Sequence, residues 1–191
     1  MGYLLPQLTS DRLIIRYFTD EDLDDFFDYR RDPVVARYQG FDPFDRDEAF
    51  QFIQSQKKQL FAEPGQWVQQ ALELKEDNKV IGDCAVRLDS NNTSIAEVGC
   101  TISPGYQSKG FAKEALFTLM QFLFEEANVH RVVGITDAEN LPSIRMLKSV
   151  GMREEGHFIE NIWFKGKWGS EFQFAILERE WLVLRGKKNN N

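Results

Sequence analysis

Between Ser103 and Ala115 the chain reads SPGYQSKGFAKEA, a turn that runs into a helix start and brings Gln107, Lys109, Gly110 and Lys113 close together. A helix leaves its first N–H groups without intrahelical partners and carries partial positive charge at that end, so its start is a ready anion site. Gly110 lacks a Cβ and lets a ligand approach the backbone, while Lys109 and Lys113 add positive charge. The same residue types also make an ordinary helix entry, so local physics allows an anion here without requiring one. A second cluster lies at Asn140-Leu141-Pro142-Ser143. Asn is a preferred helix cap, Pro suits the first turn, and Gly151 suits the far end.

Two phosphate-binding patterns are excluded. A Gly-Lys-Ser/Thr loop is absent, because Phe111 follows Gly110, and no Gly-x-Gly-x-x-Gly fingerprint occurs.

The elements that must position these clusters follow in a legible order. RLIIRYF (Arg12 to Phe18) has the β-branched, apolar character of a strand. Thr19 and Asp22 stand in capping-box spacing at the head of an acidic helix, with Leu23, Phe26 and Phe27 as its apolar face. A second helix is expected over DRDEAFQFIQSQKKQLF, with Phe50, Ile53, Lys57 and Leu60 at helical spacing. QWVQQALELK, KVIGDCAVRLD and TSIAEVGCTIS then read as an antiparallel meander joined by the turn signals EDN and SNN. A helix over Phe111 to Ala127 comes next, with Ala112, Leu116, Leu119, Met120, Leu123 and Ala127 as its buried stripe. The strand RVVGIT, a short helix after Asn140 and two last strands around FIENIWF and EFQFAIL complete the chain. Such an order predicts an α+β domain with a mixed, mostly antiparallel sheet.

A length of 191 residues predicts one domain, over 1–185, with GKKNNN (186–191) as a disordered tail. The 42% hydrophobic content and 16 Phe exclude a disordered chain. With 23 basic against 30 acidic side chains, a net charge of −7 speaks against a nucleic-acid partner and favours a cationic one, or plain solubility. No window approaches the about 18 apolar residues of a membrane span, and Met1 to Gln7 lacks the features of a secretory signal. Cys84 and Cys100 have neither metal-ligand spacing nor the density of a disulfide scaffold. A cytoplasmic chain without a metal is expected.

The spacing Gln107-x-x-Gly110-x-Ala112, directly after a strand and before an amphipathic helix, resembles the acyl-CoA pyrophosphate loop of the GNAT N-acetyltransferase superfamily. EVGCTISPGYQSKGFAKEAL is similar to that family's central strand, loop and helix, and NLPSIRMLKSVGMREEG to its next motif. The ending WGSEFQFAILEREW and the start LTSDRLIIR resemble the ribosomal-protein N-terminal acetyltransferase (Rim-like) branch.

The resemblance implies a three-layer GNAT fold, with helices on both faces of a sheet whose two parallel strands splay apart around acetyl-CoA. Backbone groups of Cys100, Thr101 and Ile102 would then pair with the pantetheine arm. Gln107 opens the loop motif, and the N–H groups of Ser108, Lys109, Gly110, Phe111, Ala112 and Lys113 would hold the pyrophosphate. Asn140 would contact the cofactor as well as cap its helix, and the Ser143 hydroxyl would stabilise the leaving sulfur. An amine must attack as the neutral base. Glu97, three residues before Cys100, is the first candidate for that base, against the alternative of an ordinary strand glutamate. Glu160 is the second, although the sequence departs here from Rim-like members, whose basic glutamate falls near Ile162. His130 and His157 read as structural. The acidic run from Asp20 to Asp28 suggests a cationic acceptor: a protein N-terminus, a polyamine or an aminoglycoside. A homodimer is within the family's habits, and no segment marks an interface. A non-catalytic acyl-CoA sensor on the same fold stays open as the alternative.

Overall fold

The alternating apolar runs form eight strands: β1 (Leu8–Thr9), β2 (Leu13–Arg16), β3 (Trp67–Leu74), β4 (Lys79–Leu88), β5 (Ile95–Ile102), β6 (Arg131–Asp137), β7 (Arg153–Phe164) and β8 (Lys167–Leu177). The computed structural model describes residues 4–61 and 63–188 and joins these strands in one sheet of order β1-β2-β3-β4-β5-β6-β8-β7. Every neighbouring pair is antiparallel except β5 and β6. The helices are α1 (Leu23–Arg30), α2 (Pro33–Ala36), α3 (Arg46–Gln56), α4 (Phe111–Glu125), α5 (Leu141–Ser149) and α6 (Glu178–Lys188).

Local signals explain several helix starts. Thr19 and Asp22 form a reciprocal capping box on a 3-10 turn that leads into α1, and Asp45 with Glu48 does the same for α3. Asp32 accepts from the Val34 N–H, with Pro33 in the first turn, and so starts α2.

Helices cover both faces of the sheet, giving an α+β architecture of three layers. Leu116, Leu119, Met120 and Leu123 of α4, Leu147 of α5 and Trp181 of α6 pack on one face with Ile15, Leu72, Ile81 and Val86. Phe26 and Tyr29 of α1, Val35 of α2 and Ala49 and Ile53 of α3 pack on the other with Ala71 and Val80. Each such buried aliphatic or aromatic side chain contributes about 1.5–3 kcal/mol over leaving it in water.

Some expectations change. The α3 helix stops at Gln56, so Lys57 and Leu60 lie beyond it; Ala49, Ile53 and Gln56 are buried, and Phe50 is exposed. Helix α4 is buried more widely than one stripe: Phe111, Ala115, Phe122 and Phe124 join it, while Ala112 and Ala127 are half-buried. The expected tail is helical in α6 as far as Lys188, and residues 189–191 lie outside the described residues. No helix among the described residues is long and apolar enough to cross a membrane.

Candidate active site

Strands β5 and β6 pair over three residues, Ile95–Glu97 against Arg131–Val133. Beyond that point they part. β5 stays on β4 as far as Ile102, and β6 stays on β8 as far as Asp137. The β6-facing edge of β5 after Glu97 thus offers backbone groups that this ladder does not use, and a buried backbone donor or acceptor needs a partner. The gap opens into a cleft of about 580 Å³ that reaches both faces of the sheet. Phe111, Ala112 and Lys113 line it at the start of α4, Asn140 and Ser143 at the start of α5, and Val34, Val35, Tyr38 and Gln39 in and just after α2.

The α4 end is built for an anion. Gly110 has φ +84°, a left-handed conformation that glycine adopts without steric cost, and as N-cap it brings no side chain to the first turn. The amides at the helix start therefore face the cleft without a side-chain acceptor, whereas α5 is capped by Asn140, whose Oδ1 accepts from the Ser143 N–H at 3.2 Å. Ser108 is also left-handed, at φ +61°. Lys113 and Arg145 line the same cleft, and neither has an ion-pair partner among the described residues.

This loop is held from a distance. The Glu114 carboxylate accepts from the Ser10 hydroxyl at 2.7 Å, the Arg12 N–H at 2.8 Å and Arg12 Nε at 2.7 Å. Arg12 Nη1 also donates to the Lys109 carbonyl at 3.1 Å, and its guanidinium lies 4.2 Å from the Phe111 ring centroid. Burial opposes the charge on Glu114, but the bonds from Ser10 and Arg12 outweigh it and hold the carboxyl below its ordinary range.

A family model described as an acetyltransferase (GNAT) domain matches residues 12–153. The chain belongs to the GNAT acetyltransferase family. It is an N-acetyltransferase. The uncharacterized N-acetyltransferase YnaD of Bacillus subtilis (strain 168) is 33% identical over 174 residues, which cover 91% of this chain and 98% of that protein. A GNAT-family acetyltransferase from Bacillus anthracis superposes with a TM-score of 0.83 at 26% identity, covering 91% of this chain and 99% of that one. A spermidine N-acetyltransferase from Vibrio cholerae, solved with CoA and spermine, superposes with a TM-score of 0.75 at 20% identity, covering 91% and 99%; this likeness is one of fold.

Within this GNAT domain the structure brings most of the sequence-derived residues together. Cys100, Thr101, Ile102, Gln107, Ser108, Gly110, Phe111, Ala112, Lys113, Asn140 and Ser143 all line the one cleft. Two do not. Lys109 turns its ammonium over the Tyr106 ring, at 5.2 Å, and is outside the lining. Glu97 is also outside it, and its carboxylate is bonded to Arg87, which stacks on Trp67. Gln107 turns back on its own chain: Nε2 donates to the Ile102 carbonyl at 2.9 Å, which occupies a group expected to meet the ligand. Glu160 is exposed on β7, with φ +47° and its N–H bonded to Ser170 Oγ. His157 stacks on Phe172, a packing role.

The acidic run changes meaning. Asp20 pairs with Lys57, Asp22 with Arg16, Asp24 with Arg46, Asp25 with Lys79 and Asp28 with Arg31. Most of these carboxylates tie α1 and the turn before it to other elements, Asp28 bonds within its own helix end, and none lines the cleft.

Arg12, Arg145 and the α2 residues were not legible as site residues. Arg145 follows Ser143 by two positions, the one local signal that places it beside the same opening.

Proposed function

We propose that this N-acetyltransferase uses acetyl-CoA as donor and acetylates the α-amine of a protein N-terminus, as the Rim-like resemblance implies, by direct attack in a ternary complex. The observation that carries this reading is the parting of β5 and β6 after Glu97 and Val133, beside an uncapped helix start. An extended pantetheine arm fits the unused edge of β5 around Cys100 as an added strand, while the Thr101 carbonyl is turned to β4. The amides from Ser108 to Lys113, with the Lys113 and Arg145 side chains, suit the pyrophosphate and 3′-phosphate.

Acetyl-CoA supplies the acetyl group as an activated thioester. The amine nitrogen bonds to the acetyl carbon, the carbon–sulfur bond breaks to release CoA as its thiolate, and the amine proton passes to solvent water. A backbone N–H on the free edge of β5 suits the oxyanion. The Ser143 hydroxyl lines the cleft without a hydrogen-bond partner among the described residues, and donates to the departing sulfur.

The acceptor class follows from proton chemistry. The cleft lining includes no Asp, Glu or His, and Glu97 is engaged by Arg87. An acceptor must then deprotonate with little help. At pH 7 that costs about 1 kcal/mol for an α-amine of pKa about 7.8, against about 4.6 kcal/mol for a lysine-type amine. The spermidine acceptor of the Vibrio cholerae enzyme is the competing class.

Purified protein is mixed with acetyl-CoA and a panel of free-N-terminus peptides, an Nα-blocked lysine peptide and spermidine, and thiol release is followed. Faster transfer to α-amines at pH 7 supports the proposal. Preference for spermidine or the blocked lysine peptide removes the acceptor assignment, and failure to bind acetyl-CoA in calorimetry removes the whole.

A further inference from the structure

The tip of the β7–β8 hairpin carries a conformational cost that its own turn does not explain. Phe164 pairs with Lys167, leaving Lys165 and Gly166 as a two-residue loop with φ of +46° and +82°. Two positive φ values make this a type I′ turn, whose first central position favours Asn, Asp or Gly. A lysine there needs a compensating contact, and it has one far away in sequence. Lys165 Nζ donates to the carbonyls of Ala36 and Phe41, each at 2.7 Å, and lies 3.4 Å from Asp42 Oδ1. Ala36 is the last residue of α2, and its carbonyl, which also accepts the Gln39 N–H, has a second lone pair for the ammonium.

The segment held in this way is one wall of the cleft. Val34, Val35, Tyr38 and Gln39 line it, and Val35 belongs to the core on the face opposite α4. A second tie runs parallel: Tyr38 Oη donates to the Glu139 carbonyl at 3.4 Å, and Lys167 lies 3.7 Å from Glu139 Oε2. On the far side of α2, a shallow depression is walled by Pro33, Pro43, Arg37 and Lys165 itself.

We propose that Lys165 is a positioning residue for the acceptor: it latches the α2 wall and so sets how well the acceptor is held, without touching acetyl-CoA. The acceptor part rests on the cofactor reading given above: with acetyl-CoA along the β5 edge and the α4 start, the α2 wall on the other face of the sheet is what the cleft leaves for the acceptor. The latch itself does not rest on it. Residues strained locally and satisfied by distant groups concentrate where a site must be held in shape.

The test uses the whole chain and two variants. Lys165→Asn keeps, and suits better, the left-handed turn while removing the ammonium; Lys165→Arg keeps a cation that reaches the same carbonyls. Hydrogen exchange of residues 36–42, including the Gln39 amide bonded to the Ala36 carbonyl, is expected to quicken about tenfold in Lys165→Asn and to return toward normal in Lys165→Arg. With the panel amine acetylated fastest, KM for the acceptor is expected to rise about fivefold in Lys165→Asn, with kcat and the acetyl-CoA Kd within about twofold and Tm not lowered. Unchanged exchange over 36–42 overturns the latch, whatever the kinetics. Faster exchange with an unchanged acceptor KM, or an equal loss of acetyl-CoA affinity, overturns the positioning role. Absence of acetyl transfer to every amine, with the exchange result as expected, leaves the latch standing and removes the acceptor proposal instead.

Discussion

A Cβ placed on Gly82 would stand 2.2 Å from the carbonyl oxygen of Thr101. Gly82 is paired with Ile102 at the end of the β4–β5 ladder, so the last residues of β5 crowd onto β4 at the level where β5 has left β6. The opening of the cleft is thus coupled to a missing side chain on the neighbouring strand. Gly82→Ala must push the Thr101 carbonyl away by about an ångström to reach ordinary contact. Overpacking of this kind costs about 1–3 kcal/mol, and Thr101 is itself a cleft-lining residue. Both Tm and acetyl-CoA affinity are expected to fall, read by thermal unfolding and calorimetry; a variant with normal affinity would separate the crowding from the site.

Ser143→Ala removes a hydroxyl and leaves the Asn140 cap intact, because the cap uses the Ser143 backbone N–H. Steady-state kinetics should show kcat reduced by about ten- to a hundredfold, with the acetyl-CoA Kd nearly unchanged. An equal loss in both would make the hydroxyl a binding contact.

Arg145 and Lys109 separate lining from proximity. Arg145→Gln is expected to raise the acetyl-CoA Kd about tenfold, by an amount that shrinks in high salt. Lys109→Gln is expected to change it by less than about twofold, since its ammonium rests on Tyr106 outside the lining. The reverse order in titrations would put the phosphate on the other side of the loop.

The buried pair of Arg30 and Asp83 predicts an asymmetric loss. Asp83 Oδ2 accepts from Arg30 Nη2 and from the Tyr29 hydroxyl, both at 2.7 Å, and the guanidinium lies 4.2 Å from the Phe41 ring centroid. Asp83→Ala leaves an uncompensated cation in this enclosure and should cost about 3–5 kcal/mol, measured by denaturant unfolding. Changing both residues to apolar ones should cost less than Asp83→Ala alone.

Stability is expected to fall on the acid side partly through Glu114. Its folded carboxyl lies below the ordinary value, so its contribution is complete above the unfolded pKa of about 4.3 and is lost as pH drops through the folded value. Asp20, Glu21, Glu125 and Glu155 are shifted the same way and share the slope. Glu114→Gln should lower Tm at pH 7 and flatten its decline toward pH 3, measured by thermal scans across that range.

What the chain discloses residue by residue divides along local and distant causes. Asn140, Pro142 and Ser143 were legible because a cap, a first-turn proline and the amide they satisfy lie within four positions of each other. Gly110 was legible as a glycine with a purpose, although its left-handed φ gives a firmer reason than ligand approach. Four-residue α2 is too short for helical periodicity, and only Asp32-Pro33 announces it. Helix α6 was missed because EREWLVLRGKK follows a strand without a break, its one buried anchor being Trp181. The pairing of the acidic run was hidden because charge density in sequence says nothing of Arg16, Arg46, Lys57 and Lys79, which arrive from other elements. The ion pair of Glu97 was hidden for the same reason: its partner Arg87 becomes visible only once the β4–β5 register is known.

Arg12 and Glu114 are 102 positions apart. A nascent chain emerges from its N-terminus, so Arg12 is exposed long before the residues it will hold have been made. Until Glu114 is out, Lys109 and Phe111 have no brace, and the anion-binding loop stays unformed however well its own residues suit the turn. Competence for the donor is therefore a late event in the life of each molecule, and a deletion that takes Ser10 and Arg12 should abolish it.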